Sequence, residues 1–204
     1  MKLNPVELAL INNPFRNFFL RGTVGWLHDA ACAPPLARVL EVGCGQGEGV
    51  REIIHRFAPA AIDAFDLDEA QVARARARIA DLSSRTAIAL GTGDAESIDA
   101  PDAHYDAVFE FTILHHVPGW RRALAEIRRV LRPGGVFLFE ELSTEFFRDI
   151  PLVSGFLRRF TVHPWDTMFD FPTFRRALAD TGLHVTALRS RALPGWHVGV
   201  AVRQ

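Results

Sequence analysis

Residues 39–57 constrain the fold more than any other stretch. Val39-Leu40-Glu41-Val42 is apolar and β-branched, the pattern of a strand buried on both faces. Gly43-Cys44-Gly45-Gln46-Gly47-Glu48-Gly49 follows at once, and then an amphipathic segment carrying Val50, Ile53, Ile54 and Phe57. The order is strand, tight turn, helix. A turn this dense in glycine brings backbone close to a ligand, because no Cβ stands in the way. Its spacing then discriminates. A dinucleotide fingerprint requires G-x-G-x-x-G, but the sixth position is Glu48 counted from Gly43 and Val50 counted from Gly45. No Gly-Lys-Ser/Thr follows, so a phosphate-binding P-loop is excluded too. What stands is E-x-G-x-G-x-G with an acid at the strand end.

From Arg38 onward, strand and helix signals alternate. Strands are expected at 61–66, 86–90, 105–111 and 136–142, and helices at 69–82 (capped by Asp68) and 120–131 (stopped by Pro133-Gly134-Gly135). That alternation predicts an α/β fold with a parallel sheet and helices on both faces. A helix at 174–181 ends at Gly182, and strands at 184–189 and 196–202 join through Pro194-Gly195 as a hairpin. Before the alternation, residues 5–31 are aromatic and mixed in polarity and read as one or two helices. The stretch 143–172 is long for a strand-to-helix connection and carries seven Phe and Trp residues. The division is therefore one domain over 1–204: N-terminal helices 1–35, a core 36–142, a cap insertion 143–172, and a helix with hairpin 173–204.

Charge narrows the partners. A net charge of -1 with no basic stripe argues against nucleic acid. Two cysteines, Cys32 and Cys44, make neither a disulfide framework nor a zinc site, so no metal is expected and a reducing, cytoplasmic setting is. No apolar run approaches the length of a spanning helix.

In an open parallel sheet, ligands bind beyond the carboxyl ends of the strands. The strand ends supply Glu41 and the glycine turn, then Asp66, then Gly93-Asp94-Ala95-Glu96, then Glu110-Phe111, and last Glu140-Glu141. Each alone has a plain alternative: a solvated strand end for Asp66, turn chemistry for Asp94, a core and a surface histidine for His115 and His116. Together they fall at one edge of one predicted sheet.

In that arrangement the chain resembles the class I S-adenosylmethionine-dependent methyltransferases, in their small-molecule branch. Glu41-Val42-Gly43-Cys44-Gly45-Gln46-Gly47 is similar to the first motif, Asp66 to the acid ending the second strand, and Gly93-Asp94-Ala95-Glu96 to the adenine-side turn. Tyr105-Asp106-Ala107-Val108 with Leu114-His115-His116-Val117 resembles the fourth-strand motif. Arg128 through Gly135 resembles the turn before the fifth strand. The likeness covers residues 36–142 and the terminal hairpin. It implies a Rossmann-like, doubly wound, seven-stranded sheet, mostly parallel, whose last strand inserts antiparallel. It also implies the cofactor S-adenosyl-L-methionine, with the binding switch point beside the first strand and the strand ending at Phe111. Gly43, Gly45, Cys44 and Gly47 would form the turn against the methionine part, with Glu41 near its ammonium. Asp66 would take the ribose hydroxyls. Leu67, Asp94 and Ala95 would hold the adenine, and the backbone at Glu110 and Phe111 would close the sulfonium side. Arg16 or Arg21 could pair with the methionine carboxylate.

Methyl transfer from a sulfonium is an in-line displacement that needs alignment and water exclusion, and a base only where the nucleophile carries a proton. The candidates for a base are His115, His116, Glu141 and His163. Strand alternation sends Glu140 and Glu141 to opposite faces, so at most one is expected in the pocket. The aromatic cap suggests a small apolar or aromatic acceptor. Phe156-Leu157-Arg158-Arg159-Phe160 also suits transient contact with a membrane surface. Alternatives remain: a protein of this fold acting on a lipid, cyclopropane formation included; a non-catalytic cofactor binder; or a nicotinamide enzyme. The acceptor, the atom methylated and the oligomeric state are not legible.

Overall fold

The first strand is built from residues too apolar to face water on either side, and the sheet grows outward from it. The computed structural model describes residues 4, 6, 13–31, 36–82, 86–149, 155, 159–160 and 164–204. Seven strands form one sheet: β1 (Arg38–Val42), β2 (Ala61–Asp66), β3 (Ala87–Thr92), β4 (Tyr105–Phe111), β5 (Leu131–Leu142), β6 (Leu183–Ser190) and β7 (Trp196–Arg203). Their order across the sheet is β3-β2-β1-β4-β5-β7-β6. The pairs β3–β2, β2–β1, β1–β4 and β4–β5 are parallel, whereas β7 runs antiparallel to both β5 and β6. This is the doubly wound sheet with an inserted antiparallel strand.

Alternate residues of the central strands feed two cores. On one face Leu40, Val42, Val108, Phe137 and Phe139 pack with Leu124 and Ile127 of α4 (Trp120–Val130) and with Phe174 and Leu178 of α6 (Phe171–Asp180). On the other, Val39, Ile62, Phe109 and Leu138 meet α1 (Pro14–Ala31), α2 (Glu48–Phe57) and α3 (Glu69–Arg78) through Leu27, Ile53 and Ala75. Burying side chains of this size contributes roughly 1.5–3 kcal/mol each. Since β1 and β4 are neighbours while their connections leave in opposite directions, the sheet changes winding between them. A crevice opens at their carboxyl ends.

Several expected boundaries move. β3 extends to Thr92, beyond the expected end at 90, held by its full parallel ladder to β2. Helix α4 stops at Val130 because Leu131 already pairs with Tyr105, and the strand then passes through Pro133-Gly134-Gly135 with a register shift. Helix α6 starts at Phe171 rather than 174, because the Asp170 side chain accepts from Thr173 N (2.7 Å) and caps it. Within 143–172 the described residues include a short helix α5 (Thr144–Arg148). The Phe156–Arg158 stretch, His163 and Cys32 lie outside the described residues. No described helix is long and apolar enough to cross a membrane.

Candidate active site

The glycine turn is fastened to β2 before any ligand is considered. Gly43 N and Cys44 N both donate to Phe65 O (2.9 Å each), and Gly47 N donates to Cys44 O (2.8 Å). Gly43 adopts φ 74°, a conformation that costs an L side chain, and a Cβ there would run into Ile113. Gly45 N donates to Asp66 Oδ2 and Asp68 N to Asp66 Oδ1, both at 2.9 Å. Asp66 thus presents its carboxylate at a fixed angle beside the turn. Burial raises its pKa, with those two backbone donors working against the rise.

The carboxyl-edge crevice is lined by Glu41, Gly43, Cys44, Gly45, Asp66, Leu67, Asp94, Ala95, Phe111 and His116, with Arg16, Asn17 and Leu20 of α1 closing one side. Ten of the twelve residues expected around a cofactor therefore face one cavity. Gly47 and Glu110 do not line it. Gly47 caps α2 at φ 82°, where a Cβ would strike Ala75 of α3, so its place is at a helix contact. The Glu110 side chain is fully buried, and its Oε2 accepts from Ile113 N (3.2 Å). Burial, reinforced by Glu141, pushes its pKa well up. Arg21 lies outside the lining as well, paired with Glu52 at 2.9 Å.

Two charged groups at the cavity have unspent capacity, as has the Gln71 carboxamide. Glu41 is 2% exposed, and its Oε2 accepts no hydrogen bond. Burial, with Asp66 nearby, pushes its pKa up to about 8. Arg16 gives Nη2 to Glu140 Oε2 (2.9 Å) and Thr112 Oγ1 (3.2 Å), while Nη1 is buried without a partner. Thr112 holds φ 60°, an unfavourable backbone for a β-branched residue, at the rim where β4 ends.

Of the base candidates, His116 alone among the described ones lines the cavity. Its ring lies 4.2 Å from that of His115, which turns inward. His115 Nδ1 is 2.5 Å from Glu141 Oε1, and His115 N donates to Glu141 Oε2 (3.2 Å). Consecutive residues on a single 3-10 turn thus have opposite surroundings: the cavity for His116, a buried contact with Glu141 for His115. Glu140, on the other face, accepts from Thr23 Oγ1 (2.8 Å) and Trp196 Nε1 (2.9 Å) besides Arg16. Neither Glu140 nor Glu141 reaches the cavity, where strand alternation had left room for one. Lining residues not anticipated from sequence include Asn17, Leu20, Phe65, Gln71, Arg78, Thr112, Ile113 and Pro118.

A family model described as a methyltransferase domain matches residues 39–135, the glycine turn and all four strand ends of the crevice included. These residues, just under half of the chain, are a methyltransferase domain of the class I S-adenosylmethionine-dependent kind. It is 33% identical over 155 residues to a fatty-acid O-methyltransferase of Mycolicibacterium smegmatis, covering 75% of this chain and 46% of that one. It is 36% identical over 107 residues to a phthiotriol/phenolphthiotriol dimycocerosates methyltransferase of Mycobacterium tuberculosis, covering 52% and 37%. The chain thus spans less than half the length of these two curated relatives. Among solved structures, the geranyl diphosphate C-methyltransferase of Streptomyces coelicolor, in complex with Mg2+, geranyl diphosphate and S-adenosyl-L-homocysteine, superposes with a TM-score of 0.73. That match covers 90% of this chain and 80% of the other at 16% identity, which is a likeness of fold.

Proposed function

We propose that this chain transfers the methyl group of S-adenosylmethionine to a small apolar acceptor of lipid-like or aromatic character. The observation that carries the reading is the pair of unspent groups at the glycine crevice: a buried carboxylate oxygen on Glu41 and a buried guanidinium nitrogen on Arg16, at the same cavity as Asp66. An amino-acid moiety brings an ammonium for the first and a carboxylate for the second, and a ribose brings two hydroxyls for the third. Each buried polar group then finds a partner. Asp94 and Ala95 hold the adenine edge, with Leu67 against the ring. When bound, the cofactor supplies a methyl group on a sulfonium, already activated toward a nucleophile.

The chain has little covalent work to do. Thr112, held by Arg16 and by the Thr112 N to Glu140 O hydrogen bond (2.6 Å), fixes the rim where the acceptor meets the cofactor. Leu20, Phe111, Ile113 and Val117 exclude water there. Where the acceptor atom carries a proton, His116 is the cavity group that takes it, with the His115–Glu141 pair behind it holding the turn in place. His163 remains a second candidate for that role. The acceptor class follows from this apolar side of the cavity and from the lipid and prenyl substrates named for the relatives. Phe15 and Phe18, each 71% exposed on the outer face of α1, give a membrane surface an aromatic foothold beside the cavity mouth. A buried free thiol at Cys44 suits the reducing cytoplasm. The division at 35, 142 and 172 belongs to the same reading.

A panel of fatty acids, prenyl alcohols, quinols and phenols, incubated with methyl-labelled S-adenosylmethionine, tests it. Label in at least one apolar acceptor, lost in His116→Ala when the target is a protonated oxygen, is the expected result. Label in none, from protein that binds the cofactor, would reject the transferase reading.

A further inference from the structure

Helix α1 turns one face to the sheet, where Leu20, Thr23, Val24 and Leu27 are buried. Three and four residues per step along the opposite face stand Phe15, Phe18, Arg21, Gly22 and Gly25. That face is not composed like an ordinary solvated surface. Phe15 and Phe18 are the most exposed large apolar side chains among the described residues. Glycine is a poor helix former, yet a Cβ on Gly22 would meet nothing within 4 Å, so no crowding demands it there. A Cβ on Gly25 would meet only the Arg56 guanidinium, at 3.7 Å.

That guanidinium belongs to a second feature. Arg21, Arg51, Glu52, His55 and Arg56 line a recess between α1 and α2 that shares no residue with the crevice. Three guanidiniums and an imidazole face one carboxylate, and the balance is not restored nearby. Arg21 Nε donates to Glu52 Oε1 (2.9 Å), and Arg51 Nη2 lies 3.0 Å from Asp81 Oδ1. Arg56 is exposed, and among the described residues it makes neither an ion pair nor a hydrogen bond. The recess therefore keeps a surplus cation, with the Arg21 side chain, 60% exposed, beside it.

We propose that this face of α1 docks on an anionic phospholipid bilayer, with Phe15 and Phe18 entering the interface and the Arg21–Arg56 recess taking a headgroup phosphate. Exposed rings contribute apolar area that leaves water, and the surplus guanidinium contributes attraction to a negative surface and paired N–H donors for phosphate oxygens. From Phe18 to Gly25 the helix advances roughly 10 Å, so rings and recess meet one membrane surface when α1 lies in its plane. Bare backbone at Gly22 leaves room between them. Arg16, Asn17 and Leu20, on another side of the same helix, line the crevice. Docking thus holds the crevice about one helix diameter, roughly 10–12 Å, from the bilayer. A net charge of -1 disfavours nucleic acid as the polyanion.

The inference deepens the membrane foothold of the proposed function, and the test keeps it apart from the cofactor reading. Wild type, Arg56→Gln, Arg56→Glu and Phe15→Ser/Phe18→Ser are sedimented with vesicles of phosphatidylcholine alone and of equal parts phosphatidylcholine and phosphatidylglycerol. Low and high salt are compared, glycerol phosphate and an unstructured RNA serve as competitors, and each protein is melted and titrated with S-adenosylhomocysteine. Wild type should prefer the anionic vesicles. Arg56→Gln should lose about fivefold and Arg56→Glu about 25-fold on them, with no change on neutral ones. High salt should erase these differences, and the double serine variant should bind both vesicles less. Melting temperature and S-adenosylhomocysteine affinity should stay at wild-type values in the Arg56 variants. Equal binding of wild type and both Arg56 variants to anionic vesicles would overturn the headgroup site and leave the aromatic foothold. Sedimentation with neither vesicle would overturn both while the S-adenosylhomocysteine titration still reports on the cofactor reading. Release by millimolar glycerol phosphate, or by RNA equally in wild type and the double serine variant, would assign the recess to a soluble anion and overturn the bilayer.

Discussion

Acids end every central strand of this sheet, and the two halves of the sheet use them differently. On the β1–β2–β3 side, Glu41, Asp66 and Asp94 open onto one cavity, and at Glu41 a carboxylate oxygen is left without a partner. On the β4–β5 side, Glu110, Glu140 and Glu141 are walled off, and Glu140 and Glu141 are matched by Arg16, Thr23, Trp196 and His115 from other elements. The same residue type at the same edge thus lines an open cavity in one half and knits elements together in the other; on the proposed function the first half binds the cofactor. What differs is whether side chains from distant elements close over the carboxylate, as they do at Glu140 and Glu141. Glu140 gathers α1, β5 and β7 around one carboxylate; Asp66 gathers only its neighbouring backbone.

The largest expected effect falls on the cohesive side. Glu140→Ala leaves Arg16, Thr23 and Trp196 facing a void, together with Arg191, whose Nη2 lies 3.8 Å from Glu140 Oε1, and removal of one member of a buried ion pair typically costs about 3–5 kcal/mol. Chemical denaturation should show a correspondingly lower midpoint; a loss under about 1 kcal/mol would mean the network is not cohesive. Asp66→Ala should behave the opposite way. Affinity for S-adenosylhomocysteine falls about 100-fold, the worth of one to two charge-assisted hydrogen bonds, while denaturation shifts less than for Glu140→Ala. A folded Asp66→Ala protein with unchanged affinity would erase the contrast between the halves.

Glu41 sharpens the comparison through pH. Its folded pKa of about 8 lies above the ordinary value of 4.5, so it binds a proton more tightly folded than unfolded. Its contribution favours the native state fully below about 4.5 and is lost as pH climbs toward 8. Ligand-free wild type should therefore lose stability relative to Glu41→Gln across that window, by on the order of 1 kcal/mol per pH unit at most. A cationic ammonium beside Glu41 ionises it, so binding at pH 7 releases a proton. Calorimetric enthalpies in buffers of different ionisation heat should differ for wild type and coincide for Glu41→Gln. Coincidence in both would remove the ammonium from Glu41.

The smallest effect on the cavity is expected from the outer face of α1. Phe15→Ser/Phe18→Ser should leave cofactor affinity within about twofold, since neither ring lines the crevice, and should reduce sedimentation with phospholipid vesicles. A large loss of affinity would show that these rings fold over the site.

The legible part of this molecule was local. The glycine corner, the acids at the ends of β1 and β2 and the Asp68 cap are written in consecutive residues, and the helices and strands follow their periodicity. Direction across the pleat and contact over long separations were not so written. Arg16 meets Glu140 across 124 positions. His115 and His116 are indistinguishable in sequence, yet a single step along a 3-10 turn puts one against Glu141 and the other into the cavity. Gln71 did leave a signal, a lone amide on the apolar face of an Ala/Arg helix.

The central claim is that the crevice between β1 and β4 is an S-adenosylmethionine site. Calorimetric titration of the wild-type protein with S-adenosylhomocysteine, beside an equal titration with NADH, tests it most directly. The account predicts one-to-one binding of the first and no heat from the second; binding of the nicotinamide nucleotide with none of S-adenosylhomocysteine would contradict it.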